Sequence, residues 1–273
     1  MRVATTRRLD ARPVHAGRVA GLLVTAVATA SLAATPDPAI RNFIACPIVR
    51  DTATVPCWLA EYDGELYFLT LQTDVSAPVT PPWLGHRVLV EGTRSEEPRI
   101  CGGIVLKPVH LSVVAELDAR CNQQLPAEAG YNLHFEPPRP PGPSTGHLAF
   151  ERPAPAAATA RREARQFTIH YDFNGRIGFR HPAELIPILE QANAIKATRI
   201  QIEGHRGAAL LSDGSVVEED AALARSRAEQ VSELLHGAGL TRPRYEVNWV
   251  DAAPAPDGRG DFSERRVVVT VLP

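Results

Sequence analysis

The chain has 273 residues, 44% of them hydrophobic, enough apolar material for two small domains with separate cores. Lys+Arg total 29 against 31 Asp+Glu, a net charge of -2, and this near balance excludes a basic nucleic-acid footprint. The 24 prolines are many for this length, and they cluster rather than spread.

Residues 1–34 read as an export signal. Arg2, Arg7, Arg8, Arg12 and Arg18 form a long positive n-region, and residues 20–30 an apolar h-region too short to span a bilayer. Ala28-Thr29-Ala30 and Ser31-Leu32-Ala33 offer two cleavage sites; the competing reading is an uncleaved anchor helix. Arg7-Arg8 hints at a twin-arginine signal, which the following Leu9-Asp10 fits poorly.

Residues 35–135 alternate short apolar runs with turn signals. The run 65–71 follows Asp63-Gly64, a hairpin-type turn, and 87–92, 104–106 and 109–114 are further β-branched runs bounded by glycine or proline. Short strands at this spacing predict a small β domain, barrel or sandwich, loosely similar to an OB-fold. It lacks the basic groove with interleaved aromatics that a nucleic-acid platform needs, so Trp58, Tyr62, Tyr67 and Trp83 are read as packing residues. Cys46, Cys57, Cys101 and Cys121 all lie here. An even count in an exported chain predicts two disulfides, with three connectivities open. A zinc site is disfavoured because no CxxC pair and no histidine at ligand spacing are present.

Residues 136–165 break the composition. Pro137-Pro138-Arg139-Pro140-Pro141-Gly142-Pro143 and the Pro/Ala-rich 153–160 predict an extended, semi-rigid spacer.

Residues 166–273 predict an α+β domain of β-α-β-α-β order with an additional closing strand. Residues 167–173 alternate with period two and end at the Asn174-Gly175 turn. A helix runs from Pro182 to Ala194 with Leu185, Ile186 and Leu189 on one face, although Pro187 interrupts its first turns. Residues 199–203 form a strand ending in Gly204, and 220–236 an amphipathic helix stopped by Gly237 and Gly239. Residues 245–250 and 266–272 supply the remaining strands.

Five short stretches in this order resemble the OmpA-like C-terminal domain family: Asp172-Phe173-Asn174, Gly204-His205, the helix residues Arg225, Arg227, Ala228 and Val231, Gly239-Leu240, and Arg265-Arg266-Val267. The resemblance implies a βαβαβ sandwich that binds the diaminopimelate residue of a peptidoglycan stem peptide. A zwitterion of that kind needs a carboxylate for its ammonium and a guanidinium for its carboxylate. The family's arginine maps to Arg227. The place of its aspartate is held by Gly207, after Arg206, and that of its closing-strand asparagine by Glu264.

Asp213, in a longer loop between 207 and 220, is the candidate replacement, in competition with Glu218, Glu219 and Asp220; its plainer role is an Asp-Gly turn residue. For Arg227 the plainer role is a surface arginine paired with Glu219 or Asp220. Arg266 and His205 complete the candidate ligand set, with His205 equally readable as strand-end packing; Arg265 and Arg266 point in opposite directions, so at most one faces the site.

No HExxH occurs, no Ser-His-Asp set has the strand–turn–helix setting of a nucleophile elbow, and the histidines fall on separate elements, so no enzyme and no cofactor are expected. The expectation is an exported protein of the periplasm or cell envelope, with the outer membrane as a further point of association, bound to peptidoglycan. The alternative is a degenerate scaffold that keeps the fold and binds envelope proteins instead.

Overall fold

A computed structural model describes residues 39–72, 81–128, 163–175 and 182–273, which belong to one compact unit. The expected signal segment and most of the proline-rich spacer lie outside the described residues.

The fold is mixed α+β, mostly sheet, with two α-helices. Its first sheet has seven strands: β1 (Ile40–Ala45), β2 (Pro47–Arg50), β3 (Cys57–Tyr62), β4 (Glu65–Leu71), β5 (His86–Arg94), β6 (Ile104–Leu117) and β7 (Gln123–Leu125). They lie in the order β1-β5-β6-β4-β3-β2-β7. β1 and β2 are consecutive in sequence yet sit near opposite ends, because the chain turns at Cys46 and pairs β1 with β5 but β2 with β3. β1 and β7 form the two edges and do not pair, so the sheet is not closed, and of the two expected forms, barrel or sandwich, the barrel is corrected to an open sheet.

The runs 104–106 and 109–114, expected as separate strands, are one long strand that pairs with β4 at Ile104 and Val105 and with β5 beyond them. The two disulfides are Cys46–Cys121 and Cys57–Cys101; the first fixes the corner between β1 and β2. Trp58 and Tyr67 are buried in the core with Phe43, Val88 and Leu106, whereas Trp83 is half exposed.

The second sheet contains β8 (Arg165–His170), β9 (Arg199–His205), β12 (Arg244–Val250) and β13 (Arg266–Leu272) in the order β12-β9-β13-β8. In β13 the alternation of Val267, Val269 and Val271 puts every second residue into the core, the period-two pattern of a half-buried strand. Helices α1 (Pro182–Ile195) and α2 (Leu223–Gly237) share that core. α1 buries Leu185, Ile188 and Ala192 and leaves Ile186 exposed, so its inward face is turned from the expected one. Leu189 remains half buried against the same core.

α2 buries Leu223, Ala224, Arg227, Ala228, Val231 and Leu235, an inward stripe at helical spacing with one charge in its middle. The segment 207–220, expected as a loop, carries a hairpin of β10 (Ala208–Leu210) and β11 (Val216–Glu218).

This hairpin joins the two sheets. Ala209 and Leu211 pack with Leu89 and Ile44 of the first sheet. Asn42 on β1 exchanges hydrogen bonds with Ser212, at 2.9 and 2.7 Å, and its side-chain amide donates to the carbonyls of Leu210 and Gly258 at 3.0 and 2.9 Å. The spacer therefore connects two bodies that are packed together.

Candidate functional site

The site is built around Arg227. α2 can bring this residue against β9 only because Gly204 has no side chain: a Cβ there would lie 2.0 Å from the Ala224 carbonyl oxygen. Arg227 is fully buried, and a guanidinium at such a position must find a partner for its charge and for each N–H.

Glu219, at the foot of the hairpin, supplies the charge. Arg227 Nη1 donates to Glu219 Oε2 at 2.8 Å and Nη2 to Oε1 at 2.6 Å, a bidentate pair with both side chains excluded from solvent. The other three donors go to backbone carbonyls. Nε reaches Gly175 at 2.9 Å, Nη1 reaches His205 at 3.1 Å and Nη2 reaches Asp172 at 3.3 Å. A guanidinium has five N–H groups, and all are used inside the protein. The Tyr171 ring lies under the cation, 4.5 Å from its centre.

Glu219 is equally saturated. Oε1 also accepts from the Asn174 backbone N–H and Oε2 from that of Gly207, both at 2.8 Å. Asn174 holds its turn in the left-handed region, φ 54°, and its side-chain oxygen accepts from the Asp220 N–H at 3.0 Å. The Asp172-Phe173-Asn174 segment therefore wraps the ion pair.

A second buried ion pair crosses between the sheets. Arg265, directly before β13, donates through Nη1 to Glu91 Oε1 of β5 at 3.2 Å and through Nη2 to Oε2. Burial pushes the Glu91 carboxyl above its ordinary range, against the pull of Arg265. Of the two adjacent arginines, Arg265 is therefore the one that turns inward.

The four candidate ligand residues are not gathered into one pocket. Arg227 is at the centre described. His205 contributes its carbonyl there, while its imidazole Nε2 lies 3.0 Å from Glu203. Arg266 turns away to Glu264 and the Ser263 carbonyl, at 2.8 and 2.9 Å. Asp213 is exposed in a turn completed by Gly214, where its carboxylate accepts from the Ser215 N–H and hydroxyl; these bonds hold it below the ordinary carboxylate range.

In the sequence Glu219 is only one acidic residue among several, and Glu91 and Tyr171 carry no signal as site residues. The sign that could have identified an internal partner is the position of Arg227 in the apolar stripe of α2. Among the described residues, no group of three or more His, Cys, Asp or Glu is placed to hold a metal ion. The chain matches no family model and no curated protein.

Proposed function

We propose that this chain is an exported, non-catalytic cell-envelope protein whose C-terminal module is an OmpA-like scaffold for protein contacts, and not a peptidoglycan clasp. The observation that carries this reading is the saturation of Arg227: all five of its donors, and the four positions taken on Glu219, are satisfied within the chain. A ligand carboxylate would have to displace a tethered carboxylate from a dry site, and removing one partner of such a pair costs about 3–5 kcal/mol. The scaffold reading is supported further by the β10–β11 hairpin, the stretch longer than the family pattern, which engages a protein surface, that of β1 and β5.

The test is co-sedimentation of the full chain with diaminopimelate-type sacculi, together with crosslinking to envelope proteins. The expected result is protein that stays in the supernatant and crosslinks to envelope protein. Pelleting that free diaminopimelate competes away would replace this reading with wall anchoring.

A further inference from the structure

β12 is an open edge of the second sheet. Among the described residues it pairs only with β9, in a parallel register that runs from Arg244–Arg199 to Val250–His205. The Arg244 N–H donates to the Thr198 carbonyl at 2.9 Å, which sets the phase of the ladder. In a parallel pair alternate residues bond to the neighbouring strand, so Arg244, Glu246, Asn248 and Val250 spend their backbone groups on β9. Tyr245, Val247 and Trp249 point their N–H and C=O groups away from the sheet, and no described residue bonds to them.

Such an edge is a template for another strand, and proteins normally blunt it. The β1 edge of the first sheet is blunted by the β10–β11 hairpin, whose Ser212 bonds to Asn42. β12 has no such cover and contains no proline, glycine or lysine. It also exposes two large apolar residues, Trp249 at 39% and Val250 at 40%. The backbone calls for an extended strand, and the side chains say which one.

The complement is β12 itself. About a two-fold axis at Val247, an antiparallel copy sets Tyr245 opposite the partner's Trp249 and Val247 opposite the partner's Val247. The outward-facing residues then form three hydrogen-bonded pairs of two bonds each. Tyr245 and Val247 already lean on the core beneath α2, and Trp249 lies on the same face under the Arg225 guanidinium, so this side of the seam is apolar and aromatic. On the other side charge is complementary. The Glu246 carboxylate meets the partner's Asn248 amide, Arg244 lies beside the partner's Val250, and no like charges are opposed. An axis at Glu246 would oppose two carboxylates, one at Tyr245 would set Val247 against Pro243, which lacks an N–H, and one at Asn248 would lose the Glu246–Asn248 pairing.

We propose that two copies of this chain associate by antiparallel pairing of their β12 strands, which joins the two four-stranded sheets into one. The seam uses neither the Arg227–Glu219 pair nor the hairpin, so the proposal stands whether or not the chain contacts envelope proteins.

The experiment is sedimentation equilibrium of the full chain over a dilution series, with amide hydrogen exchange of Val247 and Trp249 followed over the same series. Val250→Lys is the informative variant, because it replaces an exposed side chain and sets a like charge opposite the partner's Arg244. Adding Arg244→Glu to it turns that repulsion into attraction.

The expected result is a mass that falls from two chains to one on dilution, with both amides exchanging more slowly as concentration rises. Val250→Lys should associate about tenfold more weakly, and the double variant should recover. A single-chain mass at every concentration, amides indifferent to concentration, equal association of Val250→Lys, or no recovery in the double variant would overturn the proposal.

Discussion

Arg265 occupies the space that a side chain at position 207 would need: a Cβ on Gly207 would stand 2.7 Å from Arg265 Cγ. Arg265 cannot easily yield, since it is buried and both of its terminal nitrogens are held by Glu91. The glycine at position 207 is thus matched to an arginine that locks the two sheets together. Placing an aspartate there by Gly207→Asp should destabilise the protein by about 1–3 kcal/mol, the usual cost of overpacking. It should not create binding to diaminopimelate. Chemical denaturation and calorimetric titration of the variant check the two halves of this statement.

The Arg227–Glu219 pair should respond asymmetrically to substitution. Arg227→Ala or Glu219→Ala alone leaves an uncompensated charge in a dry site and should cost about 3–5 kcal/mol. The joint change Arg227→Met with Glu219→Leu removes both charges and should cost much less than the sum of the two single changes. Denaturant midpoints for the singles and the double measure the difference. Additive losses would show that the pair is not coupled.

Acid should weaken the junction between the sheets through its histidines. His110 and His170 both titrate below the ordinary 6.5, chiefly through burial, with Arg265 and His170 adding to the effect at His110 and Arg266 at His170. The native state therefore holds fewer protons on these rings than the unfolded chain, and stability falls as pH drops below 6.5 towards their lowered values. Glu91 has the opposite sign: its raised carboxyl holds more protons in the native state, so its contribution declines as pH rises through and above 4.5. Replacing both histidines with Gln should move the acid limb of a stability-against-pH curve to lower pH. An unmoved limb would assign that limb to other groups.

Much of the second sheet was legible because it rests on local patterns. The Val267, Val269, Val271 alternation and the apolar stripe of α2 need nothing beyond side-chain periodicity. The first sheet was harder: β1, β2 and β3 are short, and their order depends on a turn at Cys46 that sends adjacent strands to distant partners. Periodicity does not set the orientation of α1, because Ile186 is apolar yet exposed and only tertiary packing distinguishes it from Ile188.

The site was half legible. Arg227 and the Asp172-Phe173-Asn174 turn could be located by motif, and Glu219 named as a competitor. Which carboxylate reaches the arginine depends on the fold of an eleven-residue hairpin, 208–218, and that fold depends on contacts with β1.

Those contacts have a kinetic consequence. Asn42 bonds to Leu210 and Gly258 across 168 and 216 residues of chain. Closing loops of that length costs entropy before any contact is gained, and topologies dominated by such pairings fold slowly. One of the earliest strands in the sequence therefore waits for nearly the last segments before its polar side chain is satisfied. Until then β1 exposes an unfinished surface, and the interval between synthesis of the first sheet and arrival of residue 258 is when the chain is most open to mispairing or to capture by a folding helper.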